Sequence, residues 1–112
     1  MNKKLEHINW FESPNWATNI VLGTSNLHYR FKVAWNNRNN SWMISINYDE
    51  QVIIQGVQLM LNVDLLQHCH HPLKPDCLLI AATNNNIERI SFENMNNGNV
   101  KLYHISRGDL SV

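Results

Sequence analysis

The sequence Leu-His-Tyr-Arg-Phe-Lys-Val-Ala-Trp-Asn, residues Leu27–Asn36, has the clearest pattern in the chain. Apolar side chains occupy its odd-numbered positions, while its even-numbered positions hold polar, charged or small side chains. A β-strand directs successive side chains to opposite faces, so this alternation predicts a strand with one buried, aromatic-rich face and one exposed face. The buried face is expected to contain Leu27, Tyr29, Phe31, Val33 and Trp35.

The segments on either side of this strand predict a three-stranded antiparallel meander. Residues 16–22 are rich in β-branched side chains and connect to Leu27 through the turn sequence Gly-Thr-Ser-Asn. After a polar, asparagine-rich loop, Ser41–Tyr48 alternates again. Trp35 and Trp42 flank this loop and are expected to face each other across the strand pair, a contact worth roughly 0.2–1 kcal/mol relative to alanines.

The rest of the chain predicts further short strands. Residues 52–63 alternate around Gly56, and a glycine within a strand pattern predicts a bulge or bend. Cys77–Ala82 is a continuous apolar run typical of a strand buried on both faces, residues 87–92 fit a strand or a helical turn, and residues 100–105 predict the last strand. With no helix of ten residues or more, the fold class is all-β: a small antiparallel β-sandwich or barrel of about six to eight short strands with a central meander.

Length and local pattern predict one domain with two extensions. A chain of 112 residues buries roughly two-thirds of its unfolded surface. Residues 1–14 lack a clear period and predict an extended N-terminal arm, residues 15–106 form the β-domain, and residues 107–112 form a flexible C-terminal tail. Trp10 and Phe11 are the candidate interface residues, because large apolar side chains in an arm pack either on their own domain or on a partner.

Composition argues against several classes of function. The net charge is +0 with 16% charged residues, whereas general nucleic-acid and anionic-membrane binders need a basic surface. No stretch approaches the roughly 20 apolar residues of a membrane span. Lys3 and Lys4 are followed by polar residues rather than the apolar run of a signal peptide. These features predict synthesis and folding in a cytosol, with Cys69 and Cys77 as thiols.

One loop contains residues with metal-ligand chemistry. His68, Cys69, His70 and His71 are consecutive, Cys77 follows, and imidazole and thiolate are good zinc ligands. A structural zinc site takes ligand pairs from two separated turns, whereas one loop supplies all of these candidates, so we expect a metal-free polar loop and keep zinc as the alternative. Cys69 beside histidines has the composition of an activated nucleophile. No orienting carboxylate or oxyanion loop accompanies it, so we predict no enzymatic activity, catalytic residue or cofactor.

The order and spacing of these segments resemble the family of small phage proteins known as baseplate plugs. The resemblance covers residues 16–105, and the chain departs from the family pattern in its His-Cys-His-His loop and in having few glycines near its C-terminal end. The segments that carry it are Tyr-Arg-Phe-Lys-Val-Ala-Trp-Asn at 29–36, Ser-Trp-Met-Ile-Ser-Ile at 41–46, Gly-Val-Gln-Leu at 56–59, Val-Asp-Leu-Leu at 63–66, Leu-Leu-Ile at 78–80 and Leu-Tyr at 102–103.

The resemblance implies a structural protein of a contractile phage tail, made in the host cytoplasm and located in the virion baseplate. Such a plug would close the tail channel and contact hub, needle or tube proteins. Formation of a homo-oligomer is a further alternative. The family implies no catalytic residues. The alternative function is binding of host glycan or another tail-tip ligand by a small β-domain, because tryptophan rings stack on sugars. The competing interpretation is that the tryptophan rings belong to the hydrophobic core. The tryptophans concerned are Trp10, Trp16, Trp35 and Trp42.

Overall fold

The structure is a computed structural model in which residues 6–23 and 27–106 are described. The described chain contains seven strands and one short helix, which confirms the all-β class and the predicted number of strands. In chain order the elements are β1 (Glu6–His7), β2 (Asn15–Leu22), β3 (Leu27–Asn36), β4 (Ser41–Tyr48), β5 (Gln51–Gln58), β6 (Cys77–Ala82), α1 (Phe92–Asn96) and β7 (Lys101–Ser106).

The larger sheet is an antiparallel meander with the strand order β2-β3-β4-β5, as the sequence predicts for its centre. β2 and β3 pair over eight consecutive residues without interruption. On β3, Tyr29, Phe31 and Val33 are buried, and the two ends of the predicted buried face, Leu27 and Trp35, are half-buried. The alternation read from the sequence therefore places the core face of this sheet correctly.

The last strand of the meander is bent and ends early. Gly56 has a φ of +61°, its N–H donates to the Ser45 hydroxyl at 2.9 Å, and the β4–β5 register shifts twice. The predicted bulge is thus confirmed, but the strand stops at Gln58 instead of continuing to residue 63. Asn62, with a φ of +62°, interrupts the extended backbone four residues later, within the predicted continuation.

The chain then crosses to the edge of the second sheet. Leu61 forms an isolated bridge to Ala81, and Asp64 forms one to Ile80. The Asp64 carboxylate accepts hydrogen bonds from the Leu79 N–H at 2.9 Å and the Leu66 N–H at 3.1 Å. These contacts use residues 59–66 as a connection between the sheets, which is why their apolar alternation does not produce a strand.

The second sheet has the antiparallel order β1-β7-β6. On β6, Cys77, Leu79 and Ala81 are buried, but the alternate side chains are only half-buried. The prediction that this strand is buried on both faces is therefore wrong, because the described chain covers only one face of this sheet. The half-buried side chains of β6 are Leu78, Ile80 and Ala82.

Both sheets contribute to one core cluster, with Phe31 and Ile44 from the larger sheet and Leu79 and Leu102 from the smaller. β2 and β5 are the two edges of the larger sheet. The described strands therefore do not form a closed barrel, which was one of the two architectures that the sequence predicted.

The single helix of the described chain, α1, begins at a capping box. The Ser91 hydroxyl accepts the Asn94 N–H, and the Asn94 side chain accepts the Ser91 N–H. The prediction of a strand or helical turn over residues 87–92 is therefore wrong for residues 87–91, which form neither, and the helix begins only at Phe92. No helix in the described part is long and apolar enough to span a membrane.

Candidate interaction surfaces

The described part of the N-terminal arm, residues 6–14, returns to its own domain. The Ile8 N–H donates to the Leu102 carbonyl at 2.7 Å, next to the β1–β7 pair. Trp10 is half-buried and packs edge-on against Trp16 and Trp42, with ring centroids 5.1 Å away in both cases. Phe11 contacts Trp16 at 4.9 Å but keeps 49% of its surface exposed. Of the two candidate interface residues, Trp10 is thus used within the domain, whereas Phe11 also has a face open to a partner.

The four tryptophans belong to an aromatic cluster at one end of the core. Trp42 is fully buried, stacks on Phe92 at 5.2 Å, and donates its Nε1–H to the Ser91 carbonyl at 3.2 Å. Trp35 lies opposite Trp42 in the β3–β4 register, with ring centroids 5.1 Å apart, which confirms the predicted cross-strand pair. Sugar stacking needs an exposed ring face, so these contacts favour core packing over a glycan site for Trp42.

The histidine-rich loop directs its ligand-type atoms to separate partners. Cys69 is buried and its thiol donates to the Ile53 carbonyl at 3.5 Å, while Nδ1 of His71 accepts the Leu73 N–H at 3.0 Å. His68 and His70 are exposed, and Cys77 is buried on β6. Cys69 and Cys77 form no disulfide. Among the described residues, no group of three or more histidine, cysteine or acidic side chains is arranged to hold a metal ion.

An apolar groove of about 480 Å³ lies between β5 and this loop. Ile53, Ile54 and Val57 from β5 and Met60 from the connection line it together with the imidazoles of the loop. Met60 is 46% exposed. The groove therefore combines an apolar wall from β5 with polar side chains from the connection and the loop, including Asp64 and Gln67.

Tyr29 connects the buried face of β3 to the loop before β6. Its hydroxyl donates to the Leu73 carbonyl at 2.7 Å, and its ring lies 5.5 Å from that of Tyr48. Burial raises the pKa of the Tyr29 phenol, and the nearby Cys77 and Tyr48 raise it further. The phenol is therefore held in its neutral, hydrogen-bond-donating form.

The outer face of the larger sheet is polar and weakly basic. His28, Arg30 and Lys32 are exposed on β3, and the Arg30 guanidinium donates to the Asn19 side chain on β2 at 3.3 Å. Lys32 lies opposite the small Ala17 in the β2–β3 register. The β2 side chains next to this basic strip, residues 28–32, are small or uncharged.

The sequence interpretation did not identify the free edge of β2 as an interaction surface. Asn15, Ala17, Asn19 and Val21 are exposed along this edge strand. The available signal was composition, because β2 contains neither a charged residue nor a proline, the two devices that usually protect a sheet edge.

These features define a small β-domain whose surfaces include an exposed apolar ring, an apolar groove, a weakly basic strip and a free sheet edge. Residues 8–107 match the family described as cyanophage baseplate Pam3 plug gp18, so the chain belongs to this family. No individually curated protein matches the sequence. The family match confirms the resemblance and supports a structural role in a phage baseplate.

Proposed function

We propose that this protein is a structural plug that closes the tail channel at the phage baseplate and contacts hub, needle or tube proteins. The family match, which extends over residues 8–107, carries this proposal. In this proposal the protein is made in the host cytoplasm and becomes part of the virion tail, and the family match supports the tail location. The exposed side of Phe11 is a candidate contact with one of these neighbours, since an apolar ring half open to water gains free energy when a partner covers it.

We also propose that the protein is not an enzyme. Cys69, the candidate nucleophile, is buried and donates its thiol proton to a backbone carbonyl rather than to an imidazole. A thiol is activated by a neighbouring base or cation, and the contacts of Cys69 supply neither. Of the two predicted extensions, the arm carries the exposed Phe11, and the predicted C-terminal tail, residues 107–112, lies outside the described residues.

The test is to locate the protein in purified virions. In the phage that encodes this chain, we expect mass spectrometry to find the protein in washed particles and electron cryomicroscopy to place its density on the axis of the baseplate. Particles made without the gene should lack this density and regain it when the wild-type gene is supplied in trans. Absence of the protein from purified virions, or density at the tail periphery, would contradict the proposal.

The alternative of a host-glycan site receives no specific support from the geometry. Trp42 is fully buried, and Trp10, Trp16 and Trp35 are half-buried against aromatic neighbours. Titration of the protein with a panel of glycans, followed by its intrinsic tryptophan fluorescence, tests glycan binding directly. A fluorescence change with one sugar would support a glycan site.

A further inference from the structure

The free edge of β2 presents a regular row of backbone hydrogen-bonding groups. The Trp35 N–H donates to the Pro14 carbonyl at 2.7 Å, which sets the phase of the β2–β3 ladder. Because backbone groups alternate between the two sides of a strand, Asn15 and every second residue after it point away from β3. The Asn15 N–H and carbonyl both bond the Ser13 hydroxyl, at 3.3 and 3.0 Å.

The next three outward-facing residues are Ala17, Asn19 and Val21. They lie on the terminal strand of the sheet, so no described strand lies beyond them. Each can donate one N–H and accept one hydrogen bond at its carbonyl, as an added antiparallel strand requires.

The other sheet edges of the described chain are unsuited to a regular strand pair. β5 carries two register shifts, and Gly56 turns its backbone out of the extended form. The free side of β6 is already bridged by Leu61 and Asp64. β1 has only two residues. Within the described part of the chain, the only long, unbulged free edge that another copy can offer to β2 is its own β2.

We propose that two copies of the chain associate through an antiparallel β2–β2 pair centred on Asn19. In this register Asn19 of one copy faces Asn19 of the other, and Ala17 faces Val21 in both directions. All three are outward-facing positions, so the pair forms six backbone hydrogen bonds, two at each facing position. The resulting interface is isologous, which is the commonest kind in homodimers.

The side chains of β2 are compatible with this pairing. Val21, which is 39% exposed, covers the small Ala17 of the second copy, and Thr18 on the inner face lies beside Ile20. β2 has no charge, and the two Arg30 side chains originate three strand spacings apart, about 14 Å, which exceeds the screening length of roughly 8–10 Å.

The pairing also limits the assembly to two copies. It joins the two four-stranded sheets into one, whose outer strands are the two copies of β5. Because both of these edges are bulged, the sheet does not continue to a third copy. The inference concerns the isolated chain and does not depend on its function as a plug.

The test is the molar mass of the purified protein in solution. Sedimentation velocity from about 1 µM to about 1 mM, the range in which weak complexes are half-formed, should show a rise from 13.1 kDa towards twice that mass. A protein that stays monomeric at the highest concentration overturns the proposal, whatever its role in the virion.

Charge substitutions at the centre of the pair test its register. Asn19→Lys and Asn19→Asp each place like charges directly opposite one another and should weaken the dimer about tenfold or more. An equal mixture of the two variants should restore the dimer, because only the mixed pair brings opposite charges together. Val52→Lys is the matched control, since Val52 is 48% exposed on β5 at the opposite edge of the sheet and should leave the dimer unchanged.

Each outcome decides between interfaces. Dimers that survive both Asn19 variants, or that are lost in Val52→Lys alone, would place the contact elsewhere and overturn the β2–β2 pair. Far-ultraviolet circular dichroism and thermal unfolding of every variant establish that the fold is retained. If Asn19→Lys does not fold, Asn19→Asp still tests the repulsion, and its mixture with wild-type protein should contain fewer dimers than wild-type protein alone.

Discussion

Tyr29 combines two functions in one side chain. Its ring fills the core beneath β3, and its hydroxyl donates to the Leu73 carbonyl at 2.7 Å. In Tyr29→Phe the ring packing stays but this hydrogen bond is lost, so we expect the free energy of unfolding to fall by about 0.5–1.5 kcal/mol. Urea unfolding of both proteins at neutral pH, followed by circular dichroism, measures the difference.

The same pair of proteins reports the ionisation of the buried phenol. Burial, with Cys77 and Tyr48 nearby, raises the pKa of Tyr29 above its usual value of 10.0. The folded state then holds the phenolic proton more tightly than the unfolded state, so wild-type stability decreases as the pH rises above about 10. Tyr29→Phe has no phenolic proton at this position, so this contribution to the pH dependence of stability is absent. The difference in the free energy of unfolding between the two proteins should therefore be largest below pH 10 and decrease above it. A difference that does not change with pH would contradict the raised pKa of Tyr29.

Gly23 and Gly98 have nearly the same backbone conformation in different surroundings. Their φ angles are +81° and +84°, which a residue with a Cβ atom adopts at a cost of about 1–2 kcal/mol. A Cβ atom on Gly23 would lie 2.7 Å from the backbone nitrogen of Asp76, whereas one on Gly98 would meet no atom within 4 Å. We expect Gly98→Ala to cost about 1 kcal/mol and Gly23→Ala to cost roughly 1–3 kcal/mol more. Equal losses in thermal or urea unfolding would show that the contact with Asp76 relaxes freely.

At the scale of elements, the positions of five strands were predictable from the local sequence pattern. β3, β4 and β6 begin and end at the residues that the sequence indicates, β2 begins one residue earlier than predicted, and β7 is shifted by one residue at both ends. Trp35 and Trp42 face each other as predicted because the loop between them fixes the register. In β3 the local pattern and the tertiary environment agree, whereas β6 was located correctly but is fully buried on one face only.

The elements that the sequence did not predict depend on distant partners. β1 has two residues and exists through its pairing with β7 near the other end of the chain, which no local period encodes. Residues 57–63 alternate like a strand, yet the Asp64 carboxylate and the bridge from Leu61 to Ala81 draw the chain towards β6. The local sequence likewise did not show that one edge of β2 is free, because strand order is a property of the whole sheet.

The histidine-rich loop allows a prediction about metal. Cys69 and His71 use their ligand atoms in hydrogen bonds to Ile53 and Leu73, so zinc binding would have to break both contacts. We expect purified protein to contain well below one zinc per chain and a chelator to leave its thermal midpoint unchanged. One zinc per chain whose removal lowers the midpoint would reverse this conclusion. As an internal control, both buried thiols should react slowly with a thiol reagent in the native protein and rapidly in urea.

At the scale of the whole molecule, the arm joins the two sheets. Ile8 bonds Leu102 on β7 of the smaller sheet, and Trp10 packs on Trp16 and Trp42 of the larger sheet. Side chains of both sheets also meet in the core cluster between them. The arm therefore contributes to the stability of the domain as well as presenting Phe11 at its surface.

Adjacent substitutions in the arm separate these two contributions. Trp10→Ala removes a half-buried ring in contact with both Trp16 and Trp42, and we expect it to lower the free energy of unfolding by about 2 kcal/mol. Phe11→Ala removes a ring that is 49% exposed and should cost less than about 1 kcal/mol. If Phe11 contacts a baseplate neighbour, its variant should fold normally yet enter virions less efficiently than wild type in a complementation assay. Equal incorporation of Phe11→Ala and wild type would assign the arm to the domain alone, and a loss of stability for Phe11→Ala as large as that for Trp10→Ala would contradict the packing described for both residues.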